Sequence, residues 1–182
     1  MKKNRFLLLL ALPFLLYQCK DDDKLPACPG CEFSCLEGNE EDVFSNDCKA
    51  NWDCHFNIIQ QSQIEYNEAA ASIKEGSQLV FEAIFETKGA DEIADDEFTY
   101  RLYFEIDPAQ ESFTAEAHQL DLLNIRYQEY CYCQDVKFKQ PASGCVQGFK
   151  IDENFWKIQA NLVIDYSYGP QAVKLEAVYE TQ

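Results

Sequence analysis

Alternation of apolar and polar residues with a period of two constrains the fold of this chain more than any other feature. Along residues 97–107 the apolar side chains fall on one side of an extended backbone, at Phe98, Tyr100, Leu102, Phe104 and Ile106. Successive side chains of a β-strand point to opposite faces, whereas no helix would group these five residues. The same alternation recurs along residues 156–165 and 173–180, so all three segments are predicted to be strands with one buried face.

Other segments also favour strands. We predict further strands at residues 79–87, 129–139 and 148–151, separated by turn signals such as Asp107-Pro108 and Gly169-Pro170. Residues 55–73 and 116–125 give no clear period. Short strands without alternating helices predict an all-β fold, namely an antiparallel β-sandwich with a disulfide-rich N-terminal segment. A closed β-barrel is the alternative.

The first residues have the pattern of an export signal. Lys2, Lys3 and Arg5 precede an apolar run of 12 residues over 6–17, and Cys19 follows shortly after. A run of this length fits the ~7 to 15 apolar residues of a signal peptide and is shorter than the ~20 that span a bilayer. We therefore interpret residues 1–18 as a signal peptide rather than a transmembrane anchor.

The residues around Cys19 resemble those of a known family. Leu16-Tyr17-Gln18-Cys19 resembles the lipobox at which bacterial lipoproteins are cleaved and acylated, and Lys20-Asp21-Asp22-Asp23 resembles the surface-export signal of lipoproteins from Bacteroidota. The likeness covers residues 1–23, and the β-rich remainder is broadly similar to uncharacterised exported lipoproteins of that group. It implies a lipid on Cys19, an export signal in the four residues after it, and a lipid-anchored location on the outer membrane, at the cell surface. The alternative is an ordinary secretory signal followed by an unrelated cysteine.

These patterns divide the chain into four parts. We predict a signal peptide over residues 1–18, a lipidated tether over residues 19–27, a cysteine-rich cap over residues 28–55 and a β-sandwich over residues 56–182. Residues 20–55 are polar, acidic and interrupted by proline and glycine, and they contain few large apolar residues for a core. The cap and the sandwich are therefore expected to form one domain.

The mature chain is strongly acidic. The full sequence has 15 basic and 32 acidic residues and a net charge of −17, and removal of the three basic residues of the leader takes this to −20. Such a surface repels phosphate backbones and anionic lipid headgroups. We therefore expect no nucleic-acid partner and no polybasic contact with a membrane.

Nine cysteines are many for an exported chain of this length, and an oxidising compartment favours disulfides. With Cys19 acylated, eight remain for pairing: Cys28, Cys31, Cys35, Cys48, Cys54, Cys131, Cys133 and Cys145. Five lie in the N-terminal segment and three in the C-terminal half, so complete pairing requires at least one bridge between the two groups. A zinc site, an iron–sulfur site or a redox dithiol at Cys28, Cys31 and Cys35 are the alternatives.

One loop is rich in possible ligands for calcium. It contains five carboxylates, at Asp91, Glu92, Asp95, Asp96 and Glu97. Calcium prefers oxygen ligands, but the spacing is not that of an EF-hand loop, and a solvated hairpin loop is the alternative. No other cofactor is expected.

The sequence contains no recognisable catalytic motif. Its two histidines, His55 and His118, do not neighbour a nucleophile, and Ser112 and Ser143 lack a nucleophile-elbow context. We therefore predict that the chain is not an enzyme. A small exported enzyme whose catalytic residues meet only in the fold is the alternative.

Aromatic residues give the main indication of binding. Tyrosines at five positions are expected to face outward: Tyr103, Tyr127, Tyr130, Tyr132 and Tyr168. Exposed aromatic rings can stack on sugars or anchor a protein partner, and cross-strand packing is the alternative. The resulting hypothesis is a binding or accessory module for a glycan or for a protein partner, such as an outer-membrane complex.

Overall fold

The computed structural model describes residues 43–67, 70–87, 98–131 and 135–182. Within these ranges the chain forms ten β-strands and one short 3₁₀ helix. The elements are β1 Val43–Ser45, β2 Trp52–Tyr66, β3 Ala71–Glu75, β4 Gln78–Thr87, β5 Thr99–Ile106, β6 Ser112–Glu116, the 3₁₀ helix Ala117–Leu123, β7 Arg126–Tyr130, β8 Ser143–Lys150, β9 Phe155–Tyr166 and β10 Gly169–Thr181.

All ten strands belong to one mixed sheet, so the all-β prediction is confirmed. The main path runs β6-β8-β9-β10-β2-β4-β5-β7, with β3 added to β2 and β1 added to β10. Pairing is antiparallel except along one side of β10, where β1 and then β2 run parallel to it. The outermost strands of the main path, β6 and β7, are not paired with each other, so the described strands do not form a closed barrel.

The sheet folds back on itself and encloses one main core. Three strand spacings separate β4 from β9 along the sheet, which would be about 14 Å if the sheet were flat. Instead, the ring of Phe81 on β4 lies edge-on to Trp156 on β9 with centroids 5.6 Å apart. Phe104 on β5 also contacts Phe113 on β6, with the two rings tilted and their centroids 5.9 Å apart. The two halves of the sheet therefore face each other as the layers of the predicted sandwich.

The strands with the clearest alternation bury the predicted residues. The inner face of β9 consists of Trp156, Ile158, Ala160, Leu162 and Ile164, and that of β10 of Val173, Leu175, Ala177 and Tyr179. On β5, Leu102, Phe104 and Ile106 are buried as expected, but Phe98 precedes the strand and is exposed.

One predicted strand differs from the structure, and the structure assigns two segments whose sequence shows no clear period. Among the described residues of 129–139, β7 ends at Tyr130 and Lys139 forms an isolated bridge with Tyr127, so the strand predicted over this segment is largely wrong. Residues 55–73 belong mainly to β2 and β3, and the mixed pattern arises from a bulge after Ile59, with Gln61 at a φ of 50°. Residues 116–125 contain the 3₁₀ helix.

The parallel strands along β10 involve part of the segment assigned to the cap. β1 pairs with β10 from Lys174 to Glu176, and β2 pairs with it again at Glu180 and Thr181. Residues 46–51 connect these two strands. This connection brings the end of the predicted cap next to the middle of the sheet, where the candidate site lies.

Candidate ligand-binding cleft

The Cys48–Cys54 disulfide encloses a tight turn. The two Cα atoms are 5.9 Å apart, and the bridge confirms the disulfide prediction for this pair. Inside it, the N–H of Trp52 donates to the carbonyl of Lys49 at 3.0 Å, which closes a β-turn over residues 49–52. Asn51 takes a φ of 72°, a conformation that asparagine tolerates better than most residues. We call residues 48–54 the clamped turn.

The clamped turn forms one wall of a cleft of about 410 Å³. The residues that line this aromatic cleft come from five strands and the turn, and they are Phe44, Lys49, Trp52, Tyr100, Tyr127, Gln171, Ala172 and Val173. In the part of the chain that the structure describes, β1 pairs with β10 from Lys174 to Glu176, and residues 171–173 of β10, just ahead of this pairing, line the cleft.

The aromatic rings in the cleft are arranged in a ladder. Trp52 stacks on Tyr100 with centroids 5.5 Å apart and planes 9° from parallel. Tyr100 in turn lies 6.2 Å from Tyr127 at 21°. Phe44 closes the base of the ladder, stacked on Phe85 at 4.0 Å and tilted against Trp52 and Tyr100. Trp52 and Tyr100 are half-buried, so each ring is held by neighbours and still reaches the surface.

Polar groups complete the lining. Gln171 is exposed and offers an amide that can both donate and accept hydrogen bonds. Lys49 is exposed and also lines the cleft. Burial raises the pKa of Tyr127 well above its ordinary value, with the neighbouring Tyr166 and Tyr100 adding to the shift. The phenol of Tyr127 therefore stays protonated and neutral at physiological pH.

A second cleft, of about 430 Å³, lies on the other side of the clamped turn. Cys54, His55 and Glu180 line it, together with Asn46, Asn57 and Phe155. His118 is exposed on the 3₁₀ helix, while Ser112 and Ser143 lie exposed on β6 and β8. The structure thus places a histidine and a carboxylate around one cleft, and none of the described residues lining it is a serine.

A third cleft, of about 360 Å³, lies between the end of β5, β6 and the 3₁₀ helix. Its polar lining is acidic and amidic, with Glu105, Asp107 and Gln119 among its members. Two of these side chains accept hydrogen bonds from backbone groups. Glu105 accepts one from the N–H of Ile64, and Asp107 accepts one from the N–H of Ala109.

The outward tyrosines were predicted correctly in part. Tyr130 and Tyr168 are 51% and 60% exposed, as expected. The prediction is wrong for Tyr103 and Tyr127, which are buried. Tyr103 packs with Ile64 and Val80 in a second, smaller apolar cluster on the outer face of the sheet, and Phe138 covers that cluster. Tyr132 lies outside the described residues.

Many predicted site residues also lie outside the described residues. They are Cys19, Lys20, Asp21, Asp22, Asp23, Cys28, Cys31, Cys35, Cys133 and the loop residues Asp91, Glu92, Asp95, Asp96 and Glu97. Among the described cysteines, Cys131 is also disulfide-bonded and Cys145 is buried in β8. Within the described ranges, no three His, Cys, Asp or Glu side chains are grouped closely enough to hold a metal ion.

The sequence interpretation missed Trp52, Lys49 and Phe44, because all three lie in the segment assigned to the cap. The spacing Cys48-x5-Cys54 around a tryptophan is the signal that could have located the turn.

Comparisons with known proteins add no family assignment. No protein-family model matches the chain, and no curated protein and no solved structure is significantly similar to it. Along the part of the chain that the structure describes, no helix has the length and apolar character needed to cross a membrane.

Proposed function

We propose that this chain is an exported lipoprotein, anchored through Cys19 at the outer membrane and displayed on the cell surface, whose aromatic cleft binds a glycan. The observation that carries the proposal is the half-exposed stack of Trp52 on Tyr100 inside a cleft of about 410 Å³. The anchor and the surface location rest on the sequence around Cys19 and on the acidic residues after it.

The lining of the cleft matches the surface of a sugar. A pyranose has an apolar face of C–H groups and a rim of hydroxyls, and tryptophan and tyrosine combine an apolar ring with a polar tip. Here the rings supply the apolar surface, and Gln171 supplies an amide for the hydroxyls. The volume falls within the range of about 300 to 1,000 Å³ that is usual for sites binding small ligands.

The cleft is also rigid in the places that would touch a ligand. The disulfide and the Trp52 N–H to Lys49 carbonyl hydrogen bond fix the clamped turn, and β2 pairs with β4 from Trp52 onward. A preformed site loses less conformational entropy when it binds, so weak stacking contacts yield more net affinity.

The test is binding of the mature protein to an array of oligosaccharides, followed by calorimetry. Trp52→Ala should lower the affinity by roughly 30-fold, because loss of an aromatic anchor costs about 2 kcal/mol or more. Tyr130→Ala is the matched control, since Tyr130 is an exposed aromatic residue that is not among the residues lining the cleft. Equal affinity in both variants would place the site elsewhere. Binding to a protein instead of a glycan, lost with Trp52→Ala, would assign the cleft to a protein partner.

The anchor is tested separately. Cys19→Ala should move the protein from the membrane fraction to the soluble fraction, and replacement of Asp21, Asp22 and Asp23 by Ala should reduce its cleavage by external protease. Retention of the Cys19→Ala variant in the membrane would show that the anchor is not at Cys19.

One observation favours a second candidate function, a small exported hydrolase. His55 and Glu180 line the same cleft of about 430 Å³, and a histidine near a carboxylate is a common acid–base arrangement. A panel of ester and glycoside substrates should then be turned over by the wild type and not by His55→Gln. The absence of turnover by the wild type would remove this candidate without affecting the glycan proposal.

A further inference from the structure

We propose that the ligand of the aromatic cleft is a linear oligosaccharide whose chain leaves the cleft toward the β9–β10 hairpin, where the ring of Tyr168 binds a further sugar residue. This inference rests on the proposed glycan binding, and it assigns a second subsite and the direction of the ligand. The described lining of the cleft does not include Tyr168, whose side chain is 60% exposed.

The β9–β10 hairpin carries Tyr168 at its tip. β9 ends at Tyr166 and β10 begins at Gly169, so Tyr168 lies in the turn between the two strands. Gln171, which lines the cleft, follows three residues after Tyr168 on the same hairpin. One short stretch of chain therefore joins the edge of the cleft to the exposed ring.

Glu129 connects Tyr168 to the opposite wall of the cleft. The hydroxyl of Tyr168 donates a hydrogen bond to Oε2 of Glu129 at 3.0 Å. Glu129 on β7 pairs directly with Tyr100 on β5, and directly opposed residues share a face of the sheet with Cβ atoms about 4.5–5.5 Å apart. Tyr100 itself stacks on Trp52 inside the cleft. A single side chain, that of Glu129, thus joins Tyr168 to the ladder of rings.

The electrostatic surroundings of Tyr168 agree with this position. Partial desolvation raises the pKa of Tyr168 to about 12, the hydrogen bond to Glu129 adds to the shift, and the phenol of Tyr100 adds to it as well. The phenol of Tyr168 therefore stays protonated at physiological pH and continues to donate to Glu129.

The ring of Tyr168 is held in place before any ligand binds. It stacks on Tyr166 with centroids 4.9 Å apart and planes 11° from parallel, and Tyr166 is itself buried. The stack supports one face of the ring, and the hydrogen bond to Glu129 fixes its hydroxyl. The exposed surface of the side chain therefore includes the other face, on which a pyranose can stack.

The carboxylate of Glu129 supplies the polar part of this second subsite. Glu129 is half-buried, and a carboxylate can accept more hydrogen bonds than the one that it receives from Tyr168. A ring beside an acceptor matches the apolar face and the hydroxyl rim of a sugar, as Trp52 and Gln171 do in the cleft. Two such places on neighbouring elements suit a chain of sugars, because one ligand can then occupy both.

The test measures affinity against chain length by calorimetry with the full mature protein. The probes are β-1,4-linked gluco-oligosaccharides, α-1,4-linked gluco-oligosaccharides and β-1,4-linked manno-oligosaccharides, each from the disaccharide to the hexasaccharide. Neutral probes are used because the Glu129 carboxylate would repel an acidic sugar. We expect at least one series to bind, with the hexasaccharide about fivefold or more tighter than the disaccharide, since the longer chain gains an aromatic contact.

Variants of Tyr168 assign the gain. Tyr168→Ala should lower the affinity for the hexasaccharide by about fivefold and leave the disaccharide unchanged, because only the longer chain reaches the hairpin. Tyr168→Phe keeps the ring and should retain most of the gain. Tyr130→Ala is the matched control, because Tyr130 is 51% exposed and follows Glu129 on β7, so its side chain lies on the opposite face of that strand.

Three results would overturn the inference, and they differ from failure of the proposed function. Equal affinity for the disaccharide and the hexasaccharide, or a gain with length that survives Tyr168→Ala, would reject the second subsite. Loss of disaccharide binding in Tyr168→Ala would also reject it, because Tyr168 would then support the cleft itself. In each case a loss of binding in Trp52→Ala would still support the glycan site. Failure of every probe to bind the wild type would reject both proposals.

Discussion

The side-chain amide of Asn46 pairs with the backbone of Val178 as if it were a peptide group of a neighbouring strand. Its Nδ2 donates to the carbonyl of Val178 at 2.9 Å, and its Oδ1 accepts from the N–H of Val178 at 2.6 Å. β1 ends one residue earlier, at Ser45. The side chain of Asn46 therefore extends the parallel ladder along β10, while the chain itself leaves the ladder and continues as the connection over residues 46–51.

This double hydrogen bond should contribute to stability. Asn46→Ala removes both bonds and leaves two backbone groups of Val178 to be satisfied by water, so we expect a loss of about 1–2 kcal/mol in the free energy of unfolding. Urea denaturation measures it. Asn154→Ala, at another exposed asparagine, is the control and should change stability by less than about 0.5 kcal/mol. Equal effects of the two substitutions would show that the Asn46 amide has no special role.

Removal of the Cys48–Cys54 bridge should affect the cleft more than the whole fold. The bridged residues are only six apart in sequence, so the chain-entropy model gives a stabilisation of about 2 kcal/mol. The double variant Cys48→Ala/Cys54→Ala should therefore remain folded, with weaker ligand binding because the clamped turn is looser. Urea denaturation and calorimetry together separate the two effects, and unchanged affinity would show that the hydrogen bond from Trp52 holds the turn alone.

Buried tyrosines should limit stability at high pH. Burial raises the pKa values of Tyr127, Tyr166 and Tyr179 above the ordinary 10.0, and partial desolvation with the hydrogen bond to Glu129 raises the pKa of Tyr168 to about 12. A pKa that is raised in the folded state gives stability that is complete below pH 10 and is lost as the pH rises through the folded value. We expect a loss of about 1.4 kcal/mol per pH unit above pH 10 for each of the buried groups Tyr127, Tyr166 and Tyr179, and a smaller loss for Tyr168, which is exposed and screened by solvent. The ultraviolet absorbance of tyrosinate reports the titration, and a single step near pH 10 for all tyrosines of the folded protein would contradict it.

Two glycines with the same backbone angle provide a matched pair. Gly144 and Gly169 both have a φ of 122°, which strains other residues. A Cβ on Gly144 would lie 2.1 Å from the carbonyl oxygen of Asn161, whereas one on Gly169 would have no heavy atom within 4 Å. Gly144→Ala should therefore be more destabilising than Gly169→Ala by about 1–3 kcal/mol, the usual range for overpacking. Thermal denaturation of both variants tests this, and equal midpoints would rule out the steric contact.

The parity of the cysteines gives a prediction about the rest of the disulfides. If Cys19 is acylated as proposed and Cys48 pairs with Cys54, three cysteines remain in the N-terminal segment, Cys28, Cys31 and Cys35, and three in the C-terminal half, Cys131, Cys133 and Cys145. Both groups are still odd, so complete pairing requires at least one cross-link between them. Peptide mapping of the mature protein under non-reducing conditions should find that cross-link. Stoichiometric zinc together with the absence of any cross-link would instead favour the metal site.

Local patterns predicted the strands of the main core but not the cleft. On β9 and β10 one face is buried, from Trp156 to Ile164 and from Val173 to Tyr179, and the apolar residues of that face recur with a period of two. Burial of Tyr103 on the other face of β5 depends on Phe138, far along the chain, and no alternation within β5 can reveal that contact. Strand-forming residues after Tyr130 suggested a longer β7, yet β7 ends at Tyr130.

The cleft requires contacts that no single segment contains. Phe44 and Val173 come together only because β1 runs parallel to β10, a pairing between residues about 130 positions apart. Trp52 and Tyr100 stack although β4 lies between their strands. The cysteine spacing around Trp52 is visible in the sequence, but the residues that contact Trp52 in the fold are not.

The central position of β10 in the sheet has a consequence for the order in which the chain can fold. β10 is the last strand along the sequence, and it lies between β9 and the pair β1 and β2. Because synthesis begins at the N-terminus, the edge of β2 that pairs with β10 stays unpaired until residue 181 has been made. Such long-range pairing forms slowly and exposes an open strand edge meanwhile. We expect synthesis of the chain to be finished before the two halves of the sandwich can join, with the nascent chain relying on a chaperone, or on its strong negative charge, to avoid aggregation.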